Sequence, residues 1–292
     1  MKPAAFEYHK PAQTDDALRL LTELGDDAKL LAGGQSLVPL MNFRLARPAF
    51  LVDLNGLAEL RYMRTEGGQL RIGAMTRQRQ VERSADTANG WPLLTEAIRY
   101  IGHVQIRNRG TIGGSLAHAD PSAELPAVMA ALDAELVIRS ASGERTVGAN
   151  DFFVSAYTTE LAADELLAEI RVPATAPRSG SAFQEVSMRH GDFALVGVAA
   201  VVTLDDGGLI REARLAFTGA GEAPIRPRKA EGSLTGQRPE ERIFQEASLL
   251  ASEDLDPSTD IHATAEYRRK VAAVIARRAL VQAAARAQEV RA

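Results

Sequence analysis

With 292 residues, 46% of them hydrophobic and 25% charged, the chain is an ordinary globular sequence longer than one average domain, so two or three domains with sizeable cores are expected. A formal net charge of −4 gives no electrostatic attraction for nucleic acid or an anionic membrane and leaves small-molecule chemistry as the expected class. Cysteine is absent, which excludes disulfides, thiolate zinc sites and iron–sulfur ligation by this chain; any such centre would belong to a partner.

The N-terminal stretch MKPAAFEYHKPAQTDDA has no apolar h-region, and no run approaches the ~18 apolar residues that span a bilayer, so a cytoplasmic, soluble protein is expected. After an extended start through Phe6 and Tyr8, Thr14 is the expected N-cap of an amphipathic helix carrying Ala17, Leu18, Leu21 and Leu24 and stopped by Gly25. Residues 29–31 read as a short strand that turns on Gly33-Gly34 of the segment AGGQS into a helix over 37–45. A buried strand over 50–54 closes a first unit. The second unit opens with a hairpin pairing 60–64 with 69–74 across Gly67-Gly68, followed by a helix capped by Thr76 and another over 91–101. QIRNRG and TIGGS then lead to a helix capped by Ser122 that runs to Leu132, with strands at 134–139 and 165–172 behind it. Pro173 to Pro177 reads as a linker. The third unit has strands at 182–188, 196–204 and 209–217 and a helical tail over 239–252 and 264–289.

Two glycine segments stand out chemically. In AGGQS, glycine permits close backbone approach to a ligand and Ser36 adds a hydroxyl near a helix start, where an anion is favoured. A plain Gly-Gly turn with Ser36 as N-cap explains that segment alone equally well. TIGGS, with the hydroxyls of Thr111 and Ser115, could approach one anion, such as a diphosphate, from the other side. Neither segment fits GxGxxG or GxxxxGK[ST], and no GxSxG is present. His9, His103, His118, His190 and His262 show no metal-ligand spacing, so no metal site is expected. Asp120 and Glu124 lie four apart at a helix start, where carboxylates usually complement the dipole, and no catalytic acid or base is assigned. In Arg189-His190-Gly191-Asp192-Phe193-Ala194 an aromatic ring beside a glycine turn could lie against a planar heterocycle, although a core Phe after a turn is the plainer reading.

Taken together, AGGQS, QIRNRGTIGGSLAHADPSAELP, FFVSAYTTELAADELLAEIRVP, SAFQEVSMRHGDFALV, LAFTGAGEAPIRPRKAEGSLTG and DIHATAEYRRKVAAVIARRAL resemble the FAD-binding medium subunit of molybdenum hydroxylases, the carbon monoxide dehydrogenase and xanthine dehydrogenase family. The resemblance covers nearly the whole chain. It implies an α+β protein: a vanillyl-alcohol-oxidase-type (PCMH-type) FAD-binding fold of two α+β subdomains, 1–56 and 57–176, and a C-terminal α+β domain, 177–292, with a small antiparallel sheet and helices.

Carried over position by position, it implies FAD contacts at Lys29, Leu30, Leu31, Ala32, Gly33, Gly34, Gln35 and Ser36, and at Thr111, Ile112, Gly113, Gly114 and Ser115. Ile101, Gly102 and Leu161 match further positions close to the flavin. Glu124 falls where related domains often have aspartate, and Gln184 where xanthine dehydrogenase-like members have lysine. Asp192 and Phe193 complete the set, Phe193 standing where tyrosine is frequent. The resemblance also implies two partners. One is a large subunit with a molybdopterin-type centre, which oxidises CO, an N-heterocycle or an aldehyde. The other is a small subunit with [2Fe–2S] clusters that pass electrons to this chain's FAD and on to an external acceptor, in a dimer of heterotrimers. The alternatives are a stand-alone FAD-dependent oxidase of the same fold and a cofactor-free scaffold; two intact glycine loops count against the scaffold.

Overall fold

The computed structural model describes residues 2–289. Its N-terminal part comprises β1 (Glu7–His9), α1 (Thr14–Leu24), β2 (Ala28–Leu31), α2 (Leu37–Asn42) and β3 (Phe50–Asp53). The strands form a parallel sheet in the order β1-β3-β2, with α1 and α2 supplying the crossovers that parallel strands require. Ala17, Leu18 and Leu21 of α1 bury one helical stripe against Val52, Leu54 and Met75. Thr14 is not the cap. It is the first helical residue, 1% exposed, and both its N–H (2.6 Å) and its hydroxyl (2.5 Å) donate to Glu59 Oε1.

The middle part runs through β4 (Met63–Glu66), β5 (Gln69–Gly73), α3 (Gln78–Arg83), α4 (Ala85–Gly90), α5 (Pro92–Ile98), α6 (Val104–Arg109), α7 (Ile112–His118) and α8 (Glu124–Ala131). It continues with β6 (Glu135–Ser140), β7 (Gly143–Gly148), α9 (Ala149–Phe152), β8 (Phe153–Ser155), β9 (Thr158–Thr159) and β10 (Leu166–Val172). Five strands make an antiparallel sheet in the order β4-β5-β10-β6-β7. Every residue of α8 is buried. Three sequence expectations change here. TIGGS is the start of a helix, with Thr111 as its cap accepting from Gly114 N–H at 3.0 Å. Thr76 caps nothing and donates its hydroxyl to the Tyr62 carbonyl at 2.7 Å. Ser122 donates its N–H to Asp120 Oδ1 at 2.9 Å in an Asx turn, so α8 starts two residues later.

The C-terminal part pairs β11 (Ser179–Ser187), β12 (Ala194–Leu204) and β13 (Ile210–Thr218) in one antiparallel sheet, followed by α10 (Arg228–Leu234), α11 (Glu241–Glu253) and α12 (Ala265–Glu289). β12 is buried along its whole length because both its faces are covered. Val196, Val198, Ala200 and Val202 face the core shared with α12, whereas Ala199 and Val201 join Phe183 and Ala216 in the core that contains α5 and α8. Among the described residues no helix is long and apolar enough to cross a membrane.

Candidate functional site

AGGQS and the segment leading into α7 meet in space. A Cβ at Gly33 would lie 2.5 Å from the Arg109 carbonyl oxygen and 2.8 Å from Gly110 Cα, and one at Gly114 would lie 3.1 Å from Ala32 Cβ. Gly34 has φ +74°, a left-handed conformation that suits glycine. The carbonyls of Gly34 and Ser36 turn into the helix, accepting from Val38 (3.2 Å) and Leu40 (3.1 Å). Among the described residues none of the backbone N–H groups of Gly33, Gly34, Gln35 and Ser36 finds an acceptor, although Gly33 is buried. Buried backbone donors are almost always paired, so the orphan at Gly33 stands out, and the run of free donors that continues to Ser36 has the chemistry to receive an anion.

The α7 side differs from its sequence reading. Ile112 N–H donates to Thr76 O (3.0 Å), Gly113 N–H to Ala74 O (2.9 Å) and Ser115 N–H to Thr111 O (3.2 Å). A Cβ at Gly113 would sit 2.4 Å from Ala74 Cβ, so this glycine is required by packing. The backbone donors of Ile112 and Gly113 are therefore satisfied within the protein; of the hydroxyls in TIGGS, that of Thr111, 2% exposed, caps the helix, and that of Ser115 lies on a part-exposed residue. Of the strand residues, Lys29 is exposed while Leu30 packs against the N-terminal core.

A polar scaffold that the sequence did not reveal holds the two loops together. Asn55 donates to the Ala32 carbonyl at 2.9 Å and accepts from Arg77 at 2.6 Å, and Arg77 also donates to the Arg109 carbonyl. Burial first, then the guanidiniums of Arg61 and Arg109, push the Arg77 pKa below its usual value. No carboxylate among the described residues pairs with Arg61, Arg77 or Arg109 within salt-bridge distance. Positive charge therefore accumulates beside the orphan N–H groups, only partly offset by the Asp53 carboxylate that acts on Arg77 through space, which suits a bound diphosphate.

A second wall is built around Arg107, 7% exposed, which donates to the carbonyls of Ile101 (2.9 Å) and Gly102 (3.0 Å) and pairs with Glu82 at 2.9 Å. The turn through Gly191 rests on this segment: a Cβ there would be 2.8 Å from Gly102 O and 3.0 Å from the His103 ring. Asp192 is exposed, as is Phe193 at 67%, while Leu161 is half-buried against the main core. Glu124 opens α8 at 6% exposure. Burial, opposed by a hydrogen bond from its own backbone N–H and by Arg107 and reinforced by Asp120, pushes its pKa up to about 7. Thr218 Oγ1 sets that helix start, lying 2.8 Å from both the Pro121 and Ala123 carbonyls.

Gln184 does not join the group. Strand alternation turns it toward α12, where its Nε2 donates to Gln282 Oε1 at 2.8 Å, and the residue facing the FAD-binding half is Glu185.

Residues 4–175 match the FAD binding domain in molybdopterin dehydrogenase, and residues 181–283 match the CO dehydrogenase flavoprotein C-terminal domain. The chain belongs to this family of FAD-binding molybdopterin dehydrogenase subunits. It is 43% identical over 288 residues to the 6-hydroxypseudooxynicotine dehydrogenase complex subunit alpha of Paenarthrobacter nicotinovorans, covering 99% of this chain and 97% of that one. Against a chain of carbon monoxide dehydrogenase from Hydrogenophaga pseudoflava the TM-score is 0.95 at 40% identity, covering 98% and 99% of the two chains. Against a chain of quinoline 2-oxidoreductase from Pseudomonas putida 86 it is 0.92 at 38% identity, covering 98% and 99%. As a member of the family the chain is a flavoprotein oxidoreductase subunit with the PCMH-type FAD-binding fold, and its cofactor is FAD. The orphan N–H run, the unpaired arginines and the hydroxyls of Ser36, Thr111 and Ser115 fit that cofactor's diphosphate.

Proposed function

We propose that this chain is the electron-transferring medium subunit of a heterotrimeric molybdenum hydroxylase. In this reading a large subunit with a molybdopterin-type centre oxidises the substrate, [2Fe–2S] clusters of a small subunit deliver the electrons, and two heterotrimers assemble as a dimer in the cytoplasm. Bound FAD supplies the chemistry, accepting electrons from the clusters and releasing them to an external acceptor.

The observation that carries the proposal is the run of orphan N–H groups at Gly33, Gly34, Gln35 and Ser36 beside unpaired arginines. These groups grip the diphosphate, Arg77 and Arg109 balance its charge, and the hydroxyls of Ser36, Thr111 and Ser115 supply further hydrogen bonds. Ile101, Gly102, Leu161 and Phe193 line the ring system, and Asp192 and Glu124 add polar contacts. No residue serves as catalytic acid or base. The three segments 1–56, 57–176 and 177–292 act as two flavin-clasping subdomains and a C-terminal wall. The lack of cysteine accords with a division in which partners hold every cluster.

The test is co-purification with the neighbouring subunits, followed by a flavin and metal count and a substrate screen. Flavin reduced by substrate in the complex but not in the isolated chain is the expected result. A native complex without FAD overturns the proposal, and substrate-dependent flavin reduction by the chain alone replaces it with the stand-alone oxidase.

A further inference from the structure

We propose that Glu185 belongs to the FAD site as an uncharged carboxyl that donates a hydrogen bond to an acceptor atom of the bound flavin nucleotide. This inference rests on the flavin reading above and concerns a residue that neither glycine loop contains.

Its placement follows from sheet register. Glu185 on β11 pairs with Gly197 on β12, which pairs with Thr218 on β13, so the three share one row across the sheet. Directly paired residues point to the same face, here the one that carries Phe183, Ala199 and Ala216 toward the FAD-binding half. Gly197 lets its neighbours close over the row: a Cβ there would come within 2.9 Å of Thr218 Cγ2 and 3.4 Å of Phe183 Cζ. At the far end Thr218 grips the carbonyls of Pro121 and Ala123, and the next residue is Glu124. Glu185 and Glu124 thus come near each other where the C-terminal sheet meets the start of α8, close enough for their charges to interact.

Both oxygens of Glu185 are buried and, among the described residues, have no hydrogen-bond partner; the neighbouring Ser187 hydroxyl donates to the Arg189 carbonyl at 2.9 Å. The Glu124 carboxyl, on a residue 6% exposed, accepts a hydrogen bond from its own backbone N–H at the start of α8. Buried polar atoms in a native protein are nearly always satisfied, so the orphaned carboxyl of Glu185, beside Glu124, marks a place where a ligand completes the bonding.

The surroundings decide the charge state. From the α5 side come Glu96 and Tyr100, whose ring meets Phe183 at 5.2 Å and His190 at 6.1 Å. From α8 and the loop before it come Glu124 and Asp120, and from the strand end Ser187. The cations nearby are engaged elsewhere: Arg107 with Glu82 at 2.9 Å, and Arg286 with Glu96 at 2.7 Å. Burial first, and then the charge of Glu124, push the Glu185 pKa up to about 9, with Ser187 opposing. At neutral pH the carboxyl therefore keeps its proton and presents an O–H donor. A flavin nucleotide brings ring carbonyls and ribityl oxygens as acceptors together with a negative diphosphate, which disfavours a second anion nearby.

The experiment is fluorescence titration of FAD onto the deflavinated full-length chain between pH 6 and pH 10, with melting curves confirming the fold of each variant. Wild-type affinity is expected to be flat at neutral pH and to weaken above the carboxyl's pKa, approaching about tenfold per pH unit. Glu185→Gln keeps a neutral donor, so it is expected to bind within about threefold of wild type at pH 7 and to lose the alkaline fall. Glu185→Leu is expected to bind about tenfold more weakly at pH 7, without pH dependence. An alkaline fall of the same size in Glu185→Gln overturns the inference, as does unchanged affinity in a folded Glu185→Leu. Wild type that binds no FAD at any pH overturns the flavin reading itself and this inference with it.

Discussion

A single methyl group at Gly33 tests the geometry of the cofactor cradle. In Gly33→Ala the new Cβ falls 2.5 Å from the Arg109 carbonyl oxygen and 2.8 Å from Gly110 Cα. Carbon contacts relax near 3.5–4.0 Å, so one backbone must retreat by about 1 Å. The Gly110 side is the more firmly held, since Gly110 N–H donates to Ile106 O (2.7 Å), its carbonyl accepts from Gln78 (2.9 Å) and Arg77 holds the Arg109 carbonyl. The displacement therefore falls on AGGQS and its unpaired N–H groups. Overpacking of this kind costs about 1–3 kcal/mol, and every 1.4 kcal/mol appearing in binding is a factor of about ten. Fluorescence titration of FAD onto the deflavinated variant should show Kd raised about tenfold or more, while the cofactor-free melting temperature falls by about 2–10 °C. Gly90→Ala is the control, because a Cβ there meets nothing within 4 Å. Wild-type FAD affinity in Gly33→Ala would refute the claim that contact between the two loops shapes the diphosphate site.

Three further outcomes follow from the same geometry. Arg107→Met removes a buried guanidinium from two carbonyls and from Glu82, and chemical denaturation should show a loss of about 3–5 kcal/mol, partly recovered by Arg107→Lys. Gly180→Ala puts a Cβ 2.1 Å from Ala283 O and 2.4 Å from Ala287 N, so α12 must lift off β11; a loss of about 3 kcal/mol is expected in the same assay. For Glu185 the folded-state pKa, about 9, lies above the ordinary carboxyl value of 4.5, so the folded chain binds a proton that the unfolded chain has released between those limits. Stability then falls as pH rises through this window, by at most about 1.4 kcal/mol per unit. Cofactor-free Glu185→Gln should accordingly melt above wild type at pH 8, with the advantage shrinking as pH approaches 4.5; a difference that does not vary with pH would contradict this.

Elements with strong local patterns were legible in the sequence. The stripe Ala17, Leu18 and Leu21 announces α1, and the apolar run through Val196, Val198, Ala200 and Val202 announces β12. The exposed edge strand β7, GERTVG, shows no apolar alternation and was not legible. Helix starts were misplaced where a hydroxyl had a better partner than the helix end: Thr14 bonds Glu59, and Thr76 bonds Tyr62. At the site, AGGQS gives the turn, but the contact of Gly33 with Gly110 depends on tertiary structure that no local pattern encodes. The same holds for Arg77 and Asn55, which belong to no motif and gain their role only where the loops are brought together. Gln184 and Glu185 differ by one step on a strand, and only the covering of each face decides which one faces the FAD-binding half.

The proline-rich stretch 173–177 looks like a convenient place to divide the gene, yet the protein is not divisible there. Phe183, Ala199, Val201 and Ala216 of the C-terminal sheet complete a core whose other side is Leu93, Leu94 and α8. A hybrid made by crossing two relatives at this linker would join surfaces that were never selected against each other, and Glu124 stands at that seam. Inheritance should therefore favour exchange of the whole chain over exchange of its parts.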